Sequence, residues 1–265
     1  MTGTITLRSS KMWRVVAHNL EHLDPKNPGG KPPQTVECYG EMELDLSDLI
    51  QFIRGCKNRL EAARGLRVRP SALAALAARR VLSRGEFCLL NGYWKACPEN
   101  REKDEIVLYK DVHLGISYDR SIPAVIDEVR GTIDGPRLCI PTLHVPSTEL
   151  VPFLSALDGL VRRVDQYHVS GRLVLSSQKE LDDLRGHTFI FNNLGALGHT
   201  AGGSRLTAHT SAMLNMCIIA RDGKTTFQLF FDHRMFDGSM VTRFLKALHE
   251  ELTVRIVDEL GELLN

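Results

Sequence analysis

The sequence lacks any apolar run approaching the ~20 residues that a helix needs to span a bilayer. Its N-terminus also lacks the uninterrupted apolar core of a signal peptide. The two charge signs nearly cancel, with 33 Lys and Arg against 32 Asp and Glu and a formal net charge of +1. No basic excess therefore favours nucleic acid as a partner. We expect a cytoplasmic protein that binds neither membranes nor nucleic acid.

Cysteine is scarce and scattered, with six residues and no CxxC spacing. This excludes the common zinc-site pattern and gives no sign of a disulfide framework. We expect the cysteines to be small apolar core residues in a reducing compartment, and no metal. Internal repeats and low-complexity segments are also missing. What remains is an ordinary globular composition, 43% hydrophobic and 25% charged over 265 residues, enough for one large domain or two small ones.

The periodicity of apolar residues predicts helices and strands along the chain. Helices are predicted over 11–20, 47–60, 70–82 and 149–164, and strands over 35–44, 87–90, 93–96, 106–109, 112–118, 138–143, 188–192, 213–220 and 225–231. The strands 87–90 and 93–96 are predicted to form a hairpin around Asn91 and Gly92. Residues 119–136 fit neither period and are interpreted as an inserted excursion.

This pattern indicates an α/β or α+β fold, a two-layer sandwich whose mixed sheet is covered by helices on one face. We expect a single domain over residues 1–265. An N-terminal helix and a Pro/Gly-rich loop would occupy residues 1–34, and the main sandwich residues 35–265. The loop, DPKNPGGKPPQ, is too short to be an interdomain linker.

The most informative segment lies near the C-terminus. The alternation over 225–231 predicts a buried strand, which stops at Asp232-His233-Arg234. Asp237-Gly238 then precedes an amphipathic helix over 241–252. A histidine there is able to take a proton near neutral pH, and the aspartate suits a helix cap or a partner for an arginine. The alternative is that this histidine is only a polar residue at the end of a strand.

Several ordered segments resemble one known family, the catalytic domains of the dihydrolipoyl acyltransferases of 2-oxoacid dehydrogenase complexes. Chloramphenicol acetyltransferase is similar more distantly. The segments are SKMWRVVAHNL, YKDVHLGISYD, LCIPTL, GHTFIFNNLGALG, DHRMFDG and RFLKALHEEL, in chain order. The resemblance implies the CoA-dependent, chloramphenicol acetyltransferase-like fold. It also implies a homotrimer in which His233 of one subunit faces the Asn192 segment of its neighbour across a channel.

The resemblance also implies a role for four residues. His233 matches the general base that takes a proton from the attacking group, and Asp237 matches a carboxylate held by an arginine. Arg14 is the best match for that arginine. Asn192 stands where the family has a serine that stabilises the oxyanion of the tetrahedral intermediate. An asparagine amide is able to donate to the same oxygen, or the site is degenerate.

Three functions follow from these matches and departures. No lipoyl domain or peripheral-subunit-binding domain precedes the catalytic segments, and residues 119–136 are extra to the family pattern. We therefore expect a freestanding acyltransferase acting in a specialised biosynthetic pathway. It would move an acyl group from a thioester of coenzyme A, or of a carrier-protein phosphopantetheine, to a small thiol, hydroxyl or amine acceptor. The alternatives are a dihydrolipoyl acyltransferase core served by a lipoyl domain in trans and a non-catalytic trimeric scaffold.

Overall fold

A computed structural model describes residues 3–23, 36–120, 125–127, 132–134, 137–169, 172–173 and 176–264 of the chain. The Pro/Gly-rich loop predicted from residue 24 onward lies outside these ranges. No helix within them is long and apolar enough to cross a membrane.

Helices and strands are interleaved along the whole chain. The helices are α1 (Lys11–Leu23), α2 (Ser47–Arg64), α3 (Pro70–Leu82), α4 (Leu150–Gln166), α5 (Gln178–Asp182), α6 (Gly238–Glu250) and α7 (Ile256–Glu262), with 3₁₀ turns at Gly85–Leu90, Arg101–Lys103 and Leu194–Leu197 and a π-helical turn at Glu251–Arg255. The strands are β1 (Thr4–Arg8), β2 (Glu37–Asp45), β3 (Gly92–Lys95), β4 (Glu105–Tyr109), β5 (Leu114–Ile116), β6 (Tyr118–Arg120), β7 (Val125–Asp127), β8 (Thr132–Asp134), β9 (Arg137–Cys139), β10 (Thr142–Leu143), β11 (His168–Val169), β12 (Arg172–Leu173), β13 (Phe189–Asn193), β14 (Ala212–Met216) and β15 (Lys224–Asp232).

The main sheet has six strands in the order β10-β5-β13-β14-β15-β2. β13 runs parallel to β5 and to β14, whereas β14–β15 and β15–β2 are antiparallel. A second sheet has the order β1-β4-β3. The mixed sheet predicted from the sequence is confirmed.

Helices cover one face of the main sheet. The alternation along β15 places Phe227, Leu229 and Phe231 in the core, where they pack with buried residues of the helices. The alanine-rich α3 is buried along most of its length, because small side chains allow other elements to approach it closely. The two-layer arrangement predicted from the sequence is therefore present, with its apolar core between sheet and helices.

The opposite face of the main sheet carries its own small apolar cluster. Ile190, Met213 and Phe230 form this cluster, which is separate from the main core. Tyr39 of β2 stacks on Phe230 with ring centroids 5.4 Å apart, yet it is 60% exposed. The three cluster residues are themselves buried, and the Tyr39 ring adds exposed aromatic surface above them.

The predicted hairpin over 87–96 is wrong. Its first half is the 3₁₀ turn that ends at Leu90, and β3 pairs instead with β4. Gly92 is not a turn residue but a point of close approach, since a Cβ there would lie 2.3 Å from the Val107 carbonyl oxygen. Asn91 donates its amide to the carbonyls of Tyr109 and Asp111. A short apolar run fits a buried turn as well as a strand, so periodicity alone could not separate them.

The excursion predicted over 119–136 falls partly outside the described residues. The parts that are described pair among themselves, β6 with β9 and β7 with β8, both antiparallel. Neither pair joins the six-stranded sheet. The predicted strand 138–143 is in fact two, because its halves, β9 and β10, join different sheets. Strand β1, which the sequence did not predict, is an exposed edge strand paired with β4.

Candidate active site

His233 follows the last residue of β15 directly. Its backbone N–H donates to the Val36 carbonyl at 2.9 Å, and its ring lies 5.4 Å from the ring of Phe231. The side chain is half-buried. Within the described residues neither ring nitrogen makes a hydrogen bond. The imidazole is therefore held at the end of a buried strand with nitrogens available to accept a proton.

A buried ion pair fixes the turn that carries His233. The Arg234 guanidinium donates to both carboxylate oxygens of Asp232, at 2.9 and 2.6 Å, and to Glu21 of α1 at 3.0 Å. The Arg234 side chain is fully buried. Burial alone would lower the pKa of Arg234, but its hydrogen bonds to Asp232 and Glu21 raise it. The cation is thus held in a forked, charge-assisted geometry that fixes the backbone on both sides of His233.

The ion-pair cluster around Arg234 also includes residues from the N-terminal half of the chain. Glu21 also accepts from Arg101 at 2.7 Å, and Arg101 pairs with Asp104 at 3.1 Å. The Trp13 indole N–H donates to the Arg234 carbonyl. The sequence signal for Asp232 and Arg234 was visible in the DHR segment. Glu21 and Trp13 lie more than 200 residues away in the chain and carried no local signal.

The predicted pairing of Arg14 with Asp237 is wrong for this chain. The Arg14 guanidinium donates to the Ser9 carbonyl, and the two residues form no ion pair within the described part. Asp237 instead caps α6, accepting from the backbone N–H groups of Ser239 and Met240 at 3.0 and 3.2 Å. The hydrogen bond from the Ser239 hydroxyl, followed by the backbone bonds, lowers the pKa of Asp237, and His233 adds a smaller lowering. The arginine that fixes the histidine turn is Arg234.

We expect Asp237→Ala to reduce the free energy of unfolding by about 1 kcal/mol, because it removes the N-cap of α6. Asp237→Asn should unfold close to the wild type, since asparagine caps a helix as well as aspartate does. Urea denaturation of the two variants checks this. Equal destabilisation by both would show that the negative charge matters rather than the cap.

Asn192 belongs to a polar row that crosses the main sheet on the face away from the helices. It lies in register with Asn215 of β14, which faces Gln228 of β15, which faces Glu41 of β2. The Gln228 amide donates to Glu41 at 2.9 Å. Ser117, just beyond β5, donates its hydroxyl to the Asn192 side-chain oxygen. Asn192 and Asn215 are buried, so their amides need partners inside the protein.

A pocket of about 810 Å³ opens beside Asn192. The start of α3, the middle of α4 and the loop 203–207 form its walls, and Arg67, Arg69 and Arg205 lie on its border. A second pocket of about 760 Å³ shares Arg67 and Arg69 with the first. This second pocket lies between α2 and residues 219–221 and is strongly basic. The two pockets are therefore neighbours joined by two arginines.

One chain does not bring His233 and Asn192 together. His233 is five residues beyond Gln228, which is about 17 Å along a strand at 3.4 Å per residue. Asn192 is two strands to the side of Gln228 in the same register, so the two side chains are on the order of 20 Å apart. A reaction that uses both would need His233 from one copy and Asn192 from another.

No group of three metal-ligating side chains is found in the part of the chain that the structure describes. The residues suited to a cofactor are the cations beside the two pockets, which are complementary to phosphate.

Comparisons with known proteins bear on the family and the fold of the chain. Residues 166–256 match the family model described as 2-oxoacid dehydrogenases acyltransferase (catalytic domain). This range holds the Asn192 segment, β15, His233 and the whole of α6. A search of curated protein sequences found no significant match.

Three solved structures share the fold over nearly their whole length. A probable dihydrolipoamide acetyltransferase from Listeria monocytogenes is 17% identical, with a TM-score of 0.63 and coverage of 93% of both chains. The dihydrolipoamide acetyltransferase of Azotobacter vinelandii is 21% identical, with a TM-score of 0.59 and coverage of 92% of this chain and 89% of that one. Chloramphenicol acetyltransferase is 14% identical, with a TM-score of 0.53 and coverage of 94% and 100%.

These findings confirm the family resemblance and the chloramphenicol acetyltransferase-like α/β fold predicted from the sequence. The family match also confirms the prediction that the chain is an acyltransferase enzyme. The roles of His233, Asp237, Asn192 and Arg14 are not tested by the comparisons, and for Arg14 the structure itself supplies the correction given above.

Proposed function

We propose that the protein transfers an acyl group from the thioester of coenzyme A to a thiol acceptor, with His233 as the general base. The observation that carries this proposal is the imidazole at the end of β15. The Asp232–Arg234–Glu21 cluster holds its backbone, and its ring nitrogens have no hydrogen-bond partner among the described residues. A purely structural role would not require a free imidazole on so rigid a turn.

The proposed reaction runs in two steps. The imidazole of His233 takes the proton of the acceptor thiol, and the sulfur adds to the thioester carbonyl carbon. The electron pair of the C=O bond moves to the oxygen, forming an oxyanion. When this intermediate collapses, the bond to the CoA sulfur breaks, and the leaving thiolate takes the proton from the His233 imidazolium. A general base of this kind contributes about 10²–10⁴ in rate.

Charge around the basic pocket supports coenzyme A as the donor. Arg54, Lys57, Arg69 and Arg221 border this pocket, together with Arg67. The first four make no ion pair within the described residues, although the whole chain has a net charge of only +1. Such a concentration of free cations suits the phosphates of a nucleotide. An extended donor with phosphates here and its thioester beside Asn192 would occupy both pockets.

The separation of His233 from Asn192 supports an assembly of several copies, which we propose is the homotrimer that the family resemblance implies. The sheet face away from the helices offers a surface for such contacts. The Tyr39 ring is 60% exposed there and stacks on Phe230 of the buried apolar cluster. Burial of that surface against a second copy would bring a base and a pocket from different chains into one site.

Dihydrolipoamide is the first acceptor to test, because two of the similar structures are dihydrolipoamide acetyltransferases. The second candidate function is therefore the core of a 2-oxoacid dehydrogenase complex with its lipoyl domain supplied in trans. A freestanding enzyme with a hydroxyl or amine acceptor, or with a carrier-protein donor, remains a prediction. The acceptor assay separates these alternatives.

The test measures loss of thioester from acetyl-CoA with dihydrolipoamide or a small alcohol or amine as acceptor. We expect transfer to a thiol and a higher KM for acetyl-pantetheine, which lacks the nucleotide phosphates. Light scattering should show a trimer, and specific activity should fall on dilution as copies separate. A fully active monomer would exclude the shared site, and equal KM values for both donors would exclude the phosphate contacts.

A further inference from the structure

The amide hydrogens of Asn192 are already engaged inside the protein. Its Nδ2 lies 2.8 Å from Asn215 Oδ1, 3.0 Å from Met213 Sδ and 3.3 Å from Ser204 Oγ. An amide nitrogen carries two hydrogens, and these three acceptors surround it. The Asn192 oxygen accepts from Ser117 and, as an acceptor, cannot stabilise an oxyanion. The Asn192 amide therefore points toward Asn215, Met213 and Ser204 rather than toward a ligand.

Ser204 receives hydrogen bonds from both asparagines of the row. Asn215 Nδ2 is 3.0 Å from Ser204 Oγ, and Asn192 Nδ2 is 3.3 Å from it. A hydroxyl has two lone pairs and one proton, so the amide donors, of which Asn215 is the nearer, occupy its acceptor side and leave the proton to donate. Hydrogen bonds accepted by a hydroxyl also strengthen its own donation.

The proton of Ser204 has one partner in the structure, Asn215 Oδ1 at 3.1 Å. That oxygen already accepts the shorter bond from Asn192, so the serine proton is free to turn to a ligand without leaving Asn215 Oδ1 unsatisfied. Ser204 is half-buried and borders the 810 Å³ pocket. Ser117 borders the same pocket, but its proton is committed to the oxygen of Asn192, which has no other donor in the described structure.

We propose that Ser204 is a catalytic residue whose hydroxyl donates the hydrogen bond that stabilises the oxyanion, and that Asn192 and Asn215 position it. This inference rests on the acyl-transfer function proposed above. The position at which the family carries its serine is occupied by an amide, and the hydroxyl comes instead from the loop that follows β13. No proton moves to the oxyanion. The Ser204 O–H donates while the negative charge is present and returns to Asn215 when the C–S bond breaks.

The test compares kcat and KM of variants in the acetyl-CoA and dihydrolipoamide assay. Loss of one oxyanion donor lowers rates by about 10²–10³, so Ser204→Ala should lower kcat by that factor with little change in KM. Ser204→Thr keeps the hydroxyl and should retain much of the activity. Asn192→Ser introduced into the Ser204→Ala variant should restore part of the lost kcat, because it places a hydroxyl at the family position.

A kcat for Ser204→Ala within about threefold of the wild type would overturn the inference, provided that the variant forms the wild-type assembly by light scattering. Recovery of kcat in the Asn192→Ser, Ser204→Ala double variant would show that the defect was a missing hydroxyl and not a misfolded loop. Failure of the acyl-transfer proposal is distinguishable, because the wild type itself would then show no transfer.

Discussion

His233→Ala is expected to lower kcat by about 10²–10⁴ without changing the fold or the assembly, because it removes the proposed general base and little else. The ring makes no hydrogen bond within the described residues, so its loss leaves no partner unsatisfied. Steady-state assays measure the loss of turnover, and light scattering checks the assembly.

Two further variants show whether the loss of activity is due to the imidazole of His233. His233→Gln keeps a polar side chain of similar length and should be as inactive as the alanine variant. His249→Ala is a matched control on the distant part of α6, where the ring hydrogen-bonds to the Asp45 carbonyl, and it should keep wild-type turnover. Near-normal turnover of both His233 variants with a productive acceptor would exclude the base mechanism.

The largest loss of stability is expected for Arg234→Met. This change leaves the Asp232 carboxylate buried without its cation and removes one of the two cations that pair with Glu21, the other being Arg101. Breaking a buried ion pair in this way costs about 3–5 kcal/mol. Arg14→Met is the matched control. Arg14 is only partly buried, and among the described residues its guanidinium donates to the Ser9 carbonyl alone. Its replacement should therefore change the free energy of unfolding by about 0.5 kcal/mol or less. Urea denaturation of the two variants measures the difference.

Equal destabilisation of the two arginine variants would show that the buried cluster does not hold the turn. Arg234→Lys provides a second measurement. Lysine keeps the charge but cannot reproduce the forked contact with Asp232. It should therefore recover only part of the stability lost in the methionine variant.

The secondary structure around His233 is predictable from the sequence because it depends on residues that are close together in the chain. Alternating apolar residues predicted β15, an aspartate at a capping position predicted the start of α6, and the structure has both. The hairpin at 87–96 failed because an apolar run of four residues fits a buried 3₁₀ turn equally well. Asn91 and Gly92 are typical of a turn, but whether they form one depends on β4, which lies further along the chain.

The remaining features of the site depend on contacts between distant parts of the chain. The resemblance predicts an arginine near the histidine turn, and Arg14 is its best match because it lies in a segment that resembles the family. Charge alone does not reveal that Arg234 reaches Glu21 across 213 residues. The polar row is hidden for the same reason. Asn192, Asn215, Gln228 and Glu41 become neighbours only when the register of four strands is known.

Asn192, Asn215 and Ser204 are joined by hydrogen bonds, so the effect of a substitution at one of them on activity depends on which residues already occupy the other two positions. Residues that share one hydrogen-bond network do not contribute additively. A change of residue 192 from asparagine to serine would therefore have a different effect when Ser204 is already present than when it is absent. Starting from serine at 192, a gain of Ser204 before the loss of the hydroxyl at 192 passes through a site with two hydroxyls. The reverse order would pass through an enzyme with neither.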